Sequence, residues 1–430
     1  MRILKIVLLM LVVLFVAFLW VAKDSGTLQR DLDDDDQSHS TELIVGRDGQ
    51  AGGGSDGQAG RFLQELGYVD WVDADPEQGA GVVLHLRDKA WAGYGFYAPQ
   101  TYNRAFLIDM DGEIRHQWHA ADLPGSWQIA ELLEGGDLLV MDKESYVARL
   151  SLTSEVRWTY SMRAHHDLTL MPDGRVVVIG RQRRDLDLGD GTVRPVVDDM
   201  FEVLDGDTGE FLERIWVSDL LGDRVSAERK AAIDEVTGFW WRWTGEPEED
   251  AMDVFHTNSI EVAHRAIPGV CEVGDLLISV RELDLVGFLD LDARALRWTW
   301  GPGVVEGQHH PTLTDQDTVV IFDNGTRSPK SRVIEVDPLT GAIVWQYGGQ
   351  NEGQELRSWR RGGSQKLPNG NMLIMESNKG HVFEVTREGE VVWRYYNPFM
   401  KDGGSKRGAV FRMLRHPPEL VDPLLKIVAN

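Results

Sequence analysis

Cysteine is almost missing from this chain of 430 residues, where Cys271 stands alone. One thiol excludes an internal disulfide, and without a second there is no Cys-x-x-Cys or Cys/His spacing for structural zinc. Positive charge is also scarce. Lys and Arg number 44 against 69 Asp and Glu, a formal net charge of −25. That balance excludes nucleic acid as a partner, because phosphate binding demands a basic surface. The acidity itself reads as solubility. Hydrophobic residues make up 42% of the chain, enough for a large core.

One long apolar run is present. Arg2 and Lys5 precede Ile6–Ala22, 17 residues at the short end for a spanning helix. The run exceeds the usual signal-peptide core and has no clear small-x-small cleavage site. Basic residues before it and acidic ones after it put the N-terminus in the cytoplasm and the remainder outside. Residues 1–22 are therefore expected to be a signal anchor in the inner membrane, holding an exported domain in the periplasm. Residues 23–60 carry DLDDDDQ and AGGGSDGQAG, a composition that cannot bury enough apolar surface to offset ordering entropy, and so predict a flexible tether. A short helix is expected over GRFLQELGYVDW, residues 60–71, from the spacing of Phe62, Leu63, Leu66 and Tyr68.

The rest, residues 61–430, reads as one all-β domain built from two alternating units. The first is a hairpin ending in tryptophan: IDMDGEIRHQW, LSLTSEVRW, LDGDTGEFLERIW, LDLDARALRW, VDPLTGAIVW and VTREGEVVW, with Trp118, Trp158, Trp216, Trp298, Trp345 and Trp393. The second is LLEGGDLLVMDK, LMPDGRVVVIGR, EVGDLLISVR, DQDTVVIFDN and LPNGNMLIMES. Two hairpins make a four-stranded antiparallel blade, and six tryptophan hairpins predict a six-bladed β-propeller. The tryptophans lie 40, 58, 82, 47 and 48 residues apart, so the two long gaps hold insertions, the larger near residues 217–254. Pairing of GVVLHLRDKAW or GYGFYAP with the last blade would close the ring and remove an exposed edge. The tryptophans are expected to pack between blades.

Aligning the second units on Gly136, Gly174, Gly274, Asp317 and Gly370 gives a common register. Seven residues downstream stand Lys143, Arg181, Arg281, Asn324 and Ser377, all polar at the end of an apolar strand. Eight residues upstream of Gly174 and Asp317 stand His166 and His309, in preference to His165 and His310. His256 leads the strand of its unit from further back, ahead of an insertion. Imidazoles with a guanidinium supply a nucleophile, proton donors and a fixed positive charge, which suits transfer of an anionic group. Three imidazoles also suit zinc or copper, but a neighbouring arginine repels a cation, so no metal is expected.

The stretches HHDLTLMPDGRVVVI, FHTNSIEV, LLISVREL, QHHPTLTDQDTVVIFDNG and LPNGNMLIMES, with the closing YYNPF and VFRMLRHPPELV, resemble the bacterial arylsulfotransferase family, the PAPS-independent aryl-sulfate sulfotransferases. The resemblance spans about residues 90–420. It implies a propeller with its site at the central channel, an aryl sulfate donor, a phenolic acceptor, a transient sulfohistidine and no cofactor. His309 matches the nucleophile, His166 a partner histidine, His256 the FHxNS histidine and Arg281 the arginine ending the ISxR strand. Arg281 and His166 would hold the sulfuryl oxygens while His256 moves the phenolic proton. Asn258, Asn324, Arg181 and His310 are weaker candidates for substrate contacts. His310 and Pro311 depart from the acidic residue that some relatives carry after the nucleophile, leaving its orienting partner open. The alternative is an inactive propeller that binds sulfated or anionic ligands. A quinoprotein-type oxidoreductase is disfavoured by the missing quinone-ligating signature.

Overall fold

The computed structural model describes residues 71–240 and 251–429. The apolar run, the tether and most of the expected helix at 60–71 lie outside the described residues. Trp71, the last residue of that stretch, lies in a strand, Trp71–Asp73, which pairs with Lys406–Gly408. Among the described residues no helix is long and apolar enough to cross a membrane.

The remaining chain is overwhelmingly β. Among the described residues, six sheets each carry a run of four antiparallel strands in simple up-and-down order. In five of them the first two strands are the second-unit hairpin, and the next two are the tryptophan hairpin. The sheet containing His309 shows the scheme, running His309–Leu313, Val319–Asp323, Arg332–Val336 and Ile343–Gly348. The turn that joins its first two strands needs a left-handed residue. Gly136, Gly174, Gly274 and Gly370 take φ near 90° there, and Asp317 takes 60°. These are the positions on which the sequence register was built.

Strands near both ends of the described residues pair into these sheets. Gly81–His85, from GVVLHLRDKAW, joins Val391–Tyr396 as an extra outer strand. Tyr94–Tyr97, from GYGFY, pairs instead with the C-terminal Met413–His416, which becomes the first strand of the N-terminal sheet. Two strands that would otherwise expose unpaired backbone are thereby covered.

The tryptophans bridge neighbouring sheets by a recurrent contact. The indole N–H of Trp118 donates to Gly136 O, Trp158 to Gly206 O, Trp298 to Pro338 O and Trp345 to Arg387 O, at 2.9–3.3 Å. Trp393 of the last tryptophan hairpin donates to Met110 O in the turn of the first, at 2.9 Å. Each ring buries apolar area between sheets while its one polar atom is satisfied by a turn carbonyl. Trp216 is covered instead by the Arg184 guanidinium, 4.0 Å above its ring. The larger insertion forms helices Val217–Leu221 and Ala227–Trp240, and Trp241 and Trp243 lie outside the described residues.

The first strands are neighbours across sheets. Ala164–Leu170 packs between Trp127–Leu132 and Thr257–Val262, which meets His309–Leu313, which meets Gly363–Lys366. Side chains at the starts of these inner strands are brought to one region, and the histidines stand there.

Candidate active site

Each histidine-bearing inner strand departs from regular pairing at its start. Register shifts fall between Ala164 and Leu168, between Thr257 and Ser259, and between His309 and Thr312. His166 (φ 67°), His256 (φ 50°) and His310 (φ 48°) adopt left-handed backbone at or beside these shifts. A bulge re-aims side chains that regular alternation would send to opposite faces, and strained residues persist where surrounding structure holds them. The result is a cluster of four rings. His166 lies 4.7 Å from His256 and 6.3 Å from His309 between ring centroids, and His165 lies 3.9 Å from His166. Phe411 stacks on His166 at 6.1 Å.

His309 is 1% exposed. Its Nδ1 lies 2.7 Å from Asn324 Oδ1 and 3.1 Å from Gly307 O. Asn324 Nδ2 donates to Ser358 O at 2.5 Å and Arg361 O at 3.0 Å, which fixes the amide with its oxygen toward the imidazole. Two oxygen acceptors at Nδ1 require the proton there, so Nε2 keeps its lone pair. That Nε2 is buried without a partner. Burial, reinforced by the Arg281 guanidinium, lowers the pKa of His309 to about 3, so the ring is neutral at physiological pH.

Beside it, His256 Nδ1 contacts Asp253 Oδ2 at 2.5 Å, and His256 Nε2 faces His166 Nε2 at 2.8 Å. Burial opposes ionisation of Asp253, but His256, Arg181 and Arg281 together hold it below the usual carboxylate range. Asp199, pushed well above that range by burial and by Asp253, accepts from Thr257 N and anchors the strand. His165 and His166 are held well below the ordinary imidazole value, first by burial and then by nearby cationic groups.

Arg281 belongs to the same cluster. Its backbone N–H donates to His256 O at 3.2 Å, its Nη1 pairs with Glu282 at 2.5 Å, and its shielded Nε–H has no partner. The weaker candidates sit otherwise. Asn258 Nδ2 donates to Gln308 O at 2.8 Å and so holds the peptide just before His309. Asn324 supplies the orienting partner that the sequence left open. Arg181 pairs with Glu144 at 2.6 Å. His310 turns to Gly363 and the Ser364 amide, 3.4 Å from its Nδ1. It takes no place in the ring cluster.

Sequence reasoning missed His165, Asp253 and Phe411. His165 was set aside by a register that assumes one inward residue per repeat, whereas the bulge delivers two. Asp253 lies in the insertion, outside any repeat, and its only signal was the three-residue spacing to His256.

The ionisable groups fix the pH response of folding. His309, at about 3, and His416, at about 4, bind protons more weakly folded than unfolded. Their contribution is complete above the unfolded value of 6.5 and is lost as pH falls below it. Burial raises Glu131 and Glu261 from 4.5 to about 8, so their contribution is complete below 4.5 and is lost as pH rises towards 8. His165 and His166 act in the same sense as His309 and His416, so the histidines outweigh the glutamates, and the melting temperature should rise with pH to about 6.5 and decline above it. Glu131→Gln should flatten the alkaline decline in a thermal melt series.

With this geometry in place, the comparisons define the class. The profile of the arylsulfotransferase (ASST) family matches residues 131–398, more than half of the chain. The chain belongs to that family. The matched span contains all four histidines of the cluster with Asp253, Arg281 and Asn324. No curated protein matches. Among solved structures, a protein of unknown function from Bacteroides caccae shares 12% identity over 76% of this chain and 99% of its own, with a TM-score of 0.45. The Dos1 propeller shares 9% identity over 74% and 75%, with a TM-score of 0.39. A streptogramin B lyase shares 10% over 78% and 93%, with a TM-score of 0.41. These are likenesses of fold alone, to a propeller-like all-β arrangement.

Proposed function

We propose that the six sheets are blades of one six-bladed propeller. Its inner strands carry a PAPS-independent sulfuryl transfer from an aryl sulfate to a phenol through sulfated His309. The carrying observation is the buried, unpartnered Nε2 of His309 with Nδ1 committed to Asn324. A nucleophile held in one tautomer and unprotonated needs no base to activate it. In the first half-reaction Nε2 forms the N–S bond as the S–O bond to the aryl group breaks. The departing oxygen takes a proton from His256, whose Nδ1 is steadied by Asp253. In the second, His256 removes the proton of the incoming phenol, whose oxygen attacks sulfur and releases His309 Nε2. Arg281, through its unpartnered Nε–H, and His166 hold the sulfuryl oxygens as charge spreads over them. Steady-state kinetics with 4-nitrophenyl sulfate and phenol should give parallel double-reciprocal lines. Nitrophenol release that phenol does not accelerate would remove the proposal.

A second reading rests on one observation. His165, His166 and His256 each place a nitrogen within 4.8 Å of the others, close enough for a metal ion. An ion there would face the charges of Arg181, Arg281 and Lys143, whereas an anion draws on them. Loss of transfer on dialysis against a chelator, restored by zinc, would favour the metal.

We also propose that Ile6–Ala22 anchors the protein in the inner membrane with the propeller in the periplasm. Recovery in the soluble fraction of cells without protease or osmotic treatment would contradict that placement.

A further inference from the structure

The larger insertion reaches the candidate site through one side chain that the chemistry above does not use. Arg229 stands in the first turn of helix Ala227–Trp240, where its backbone N–H donates to Ser226 Oγ at 3.2 Å. Ile233, four residues on, is fully buried in a cluster with Val254 and Phe255, the two residues before His256. Residues four apart share a helix face, so Arg229 is carried to the same side as Ile233. Its Nη2 donates to Asp253 O at 2.9 Å and to Glu282 Oε2 at 2.5 Å. Glu282 Oε1 in turn accepts from Arg281 Nη1 at 2.5 Å. One carboxylate therefore stands between two guanidiniums.

The charges of this trio do not cancel. Glu282 alone would neutralise Arg281, the group whose charge reaches His309 and Asp253. With Arg229 on its other oxygen, one positive charge is left over. Donors are left over too, because the Nε–H of Arg229 and that of Arg281 are buried without partners. The other carboxylate at hand, Asp253, is engaged by His256 Nδ1. Both arginine side chains are only 21% exposed, so water screens them incompletely. An arriving anion supplies the acceptor that such a trio lacks.

Resting on the reading of Arg281 as a holder of the sulfuryl oxygens, we infer that Arg229 is a positioning residue for the transfer. It shares the charge of Glu282, so that Arg281 meets the anionic sulfuryl group as a cation and not as half of a neutral pair. Through Asp253 O it also fixes the residue that steadies His256. The insertion is then a working part of the site.

The probe is 4-nitrobenzenesulfonate, which presents three sulfonyl oxygens but has a C–S bond where the donor has the S–O bond that breaks. By calorimetry on the intact protein, Arg229→Met should weaken its binding about tenfold, the scale of one charge acting across a part-buried site. Arg229→Lys keeps the charge and should lose about threefold or less. Adding Glu282→Gln to Arg229→Met should restore binding to within about threefold of the parent, because Arg281 is then released from its counter-charge. A second substitution does not repair a helix that has merely come loose. Parent-like binding in Arg229→Met, or a double variant as weak as the single, overturns the inference. Should Arg229→Met fail to fold, Glu282→Gln alone decides, with binding about threefold tighter expected and unchanged or weaker binding contradicting the charge-sharing. Transfer assays on the same proteins separate the two claims. The expected binding pattern with no transfer in the parent keeps the trio and sinks the transferase reading. Transfer in the parent without that pattern sinks the role of Arg229 alone.

Discussion

Replacing His309 with alanine should leave a folded protein whose sulfuryl transfer falls by at least about a thousandfold, the scale seen when a covalent nucleophile is removed. The chemistry has no substitute for Nε2. No other ring of the cluster has one nitrogen fixed on an amide oxygen and the other unpartnered. Folding should tolerate the change. His309 opens an inner strand and does not contribute to the apolar packing between sheets, where Val320 and Phe322 of the next strand are fully buried. The cost is an Asn324 Oδ1 left without its imidazole, about 1–3 kcal/mol for a buried orphan acceptor. Retained transfer in His309→Ala would remove the nucleophile assignment. Collapse of the fold would return His309 to a structural role.

The largest loss of stability should come from a residue outside the cluster. Arg412 makes a bidentate pair with Asp167 at 2.9 and 2.7 Å, and the Asp167 side chain is fully buried. Asp167 also accepts Leu168 N and Ile260 N at 3.0 Å, tying the His166 strand to the His256 strand. Glu131 and Glu261 lie close enough for the Asp167 charge to raise both carboxyls. Arg412→Ala removes a cation whose charge acts on both of those carboxyls and strands a buried carboxylate. Breaking a buried pair in this way costs about 3–5 kcal/mol, read as a lower urea midpoint with an unchanged slope. The double variant Arg412→Leu with Asp167→Asn should recover much of it, because the stranded charge is then gone. A double variant as unstable as the single would mean that packing by Arg412, rather than its charge, holds the strands.

The parts of the molecule that repeat were legible in the sequence. The turn residues Gly136, Gly174, Gly274, Asp317 and Gly370 all take positive φ, so a register built on them transferred directly to three dimensions. The tryptophans fell in the outer hairpins as expected, because an apolar ring with one donor fits the seam between sheets. Features that break the repeat were not legible. A bulge shifts which of two adjacent histidines faces inward, and nothing in HHDLT or HHPTL shows that the first pair both join the cluster while His310 turns away. Asp253 and Phe411 reach the site from an insertion and from the C-terminal crossing, where periodicity carries no information. Arg412 was visible only as part of the closing VFRMLRHPPELV stretch, without a role. Of the two early segments expected to pair with the last sheet, GVVLHLRDKAW does so through Gly81–His85, while GYGFY pairs with Met413–His416.

The central question is whether His309 carries the group in transit. Brief exposure to excess 4-nitrophenyl sulfate, a quench at alkaline pH, then intact mass and peptide mapping would decide it. The expected result is a single added sulfuryl group on the peptide holding His309, discharged when phenol is added before the quench. An unmodified protein that still turns over substrate, or a label confined to His165, His166 or His256, would contradict it.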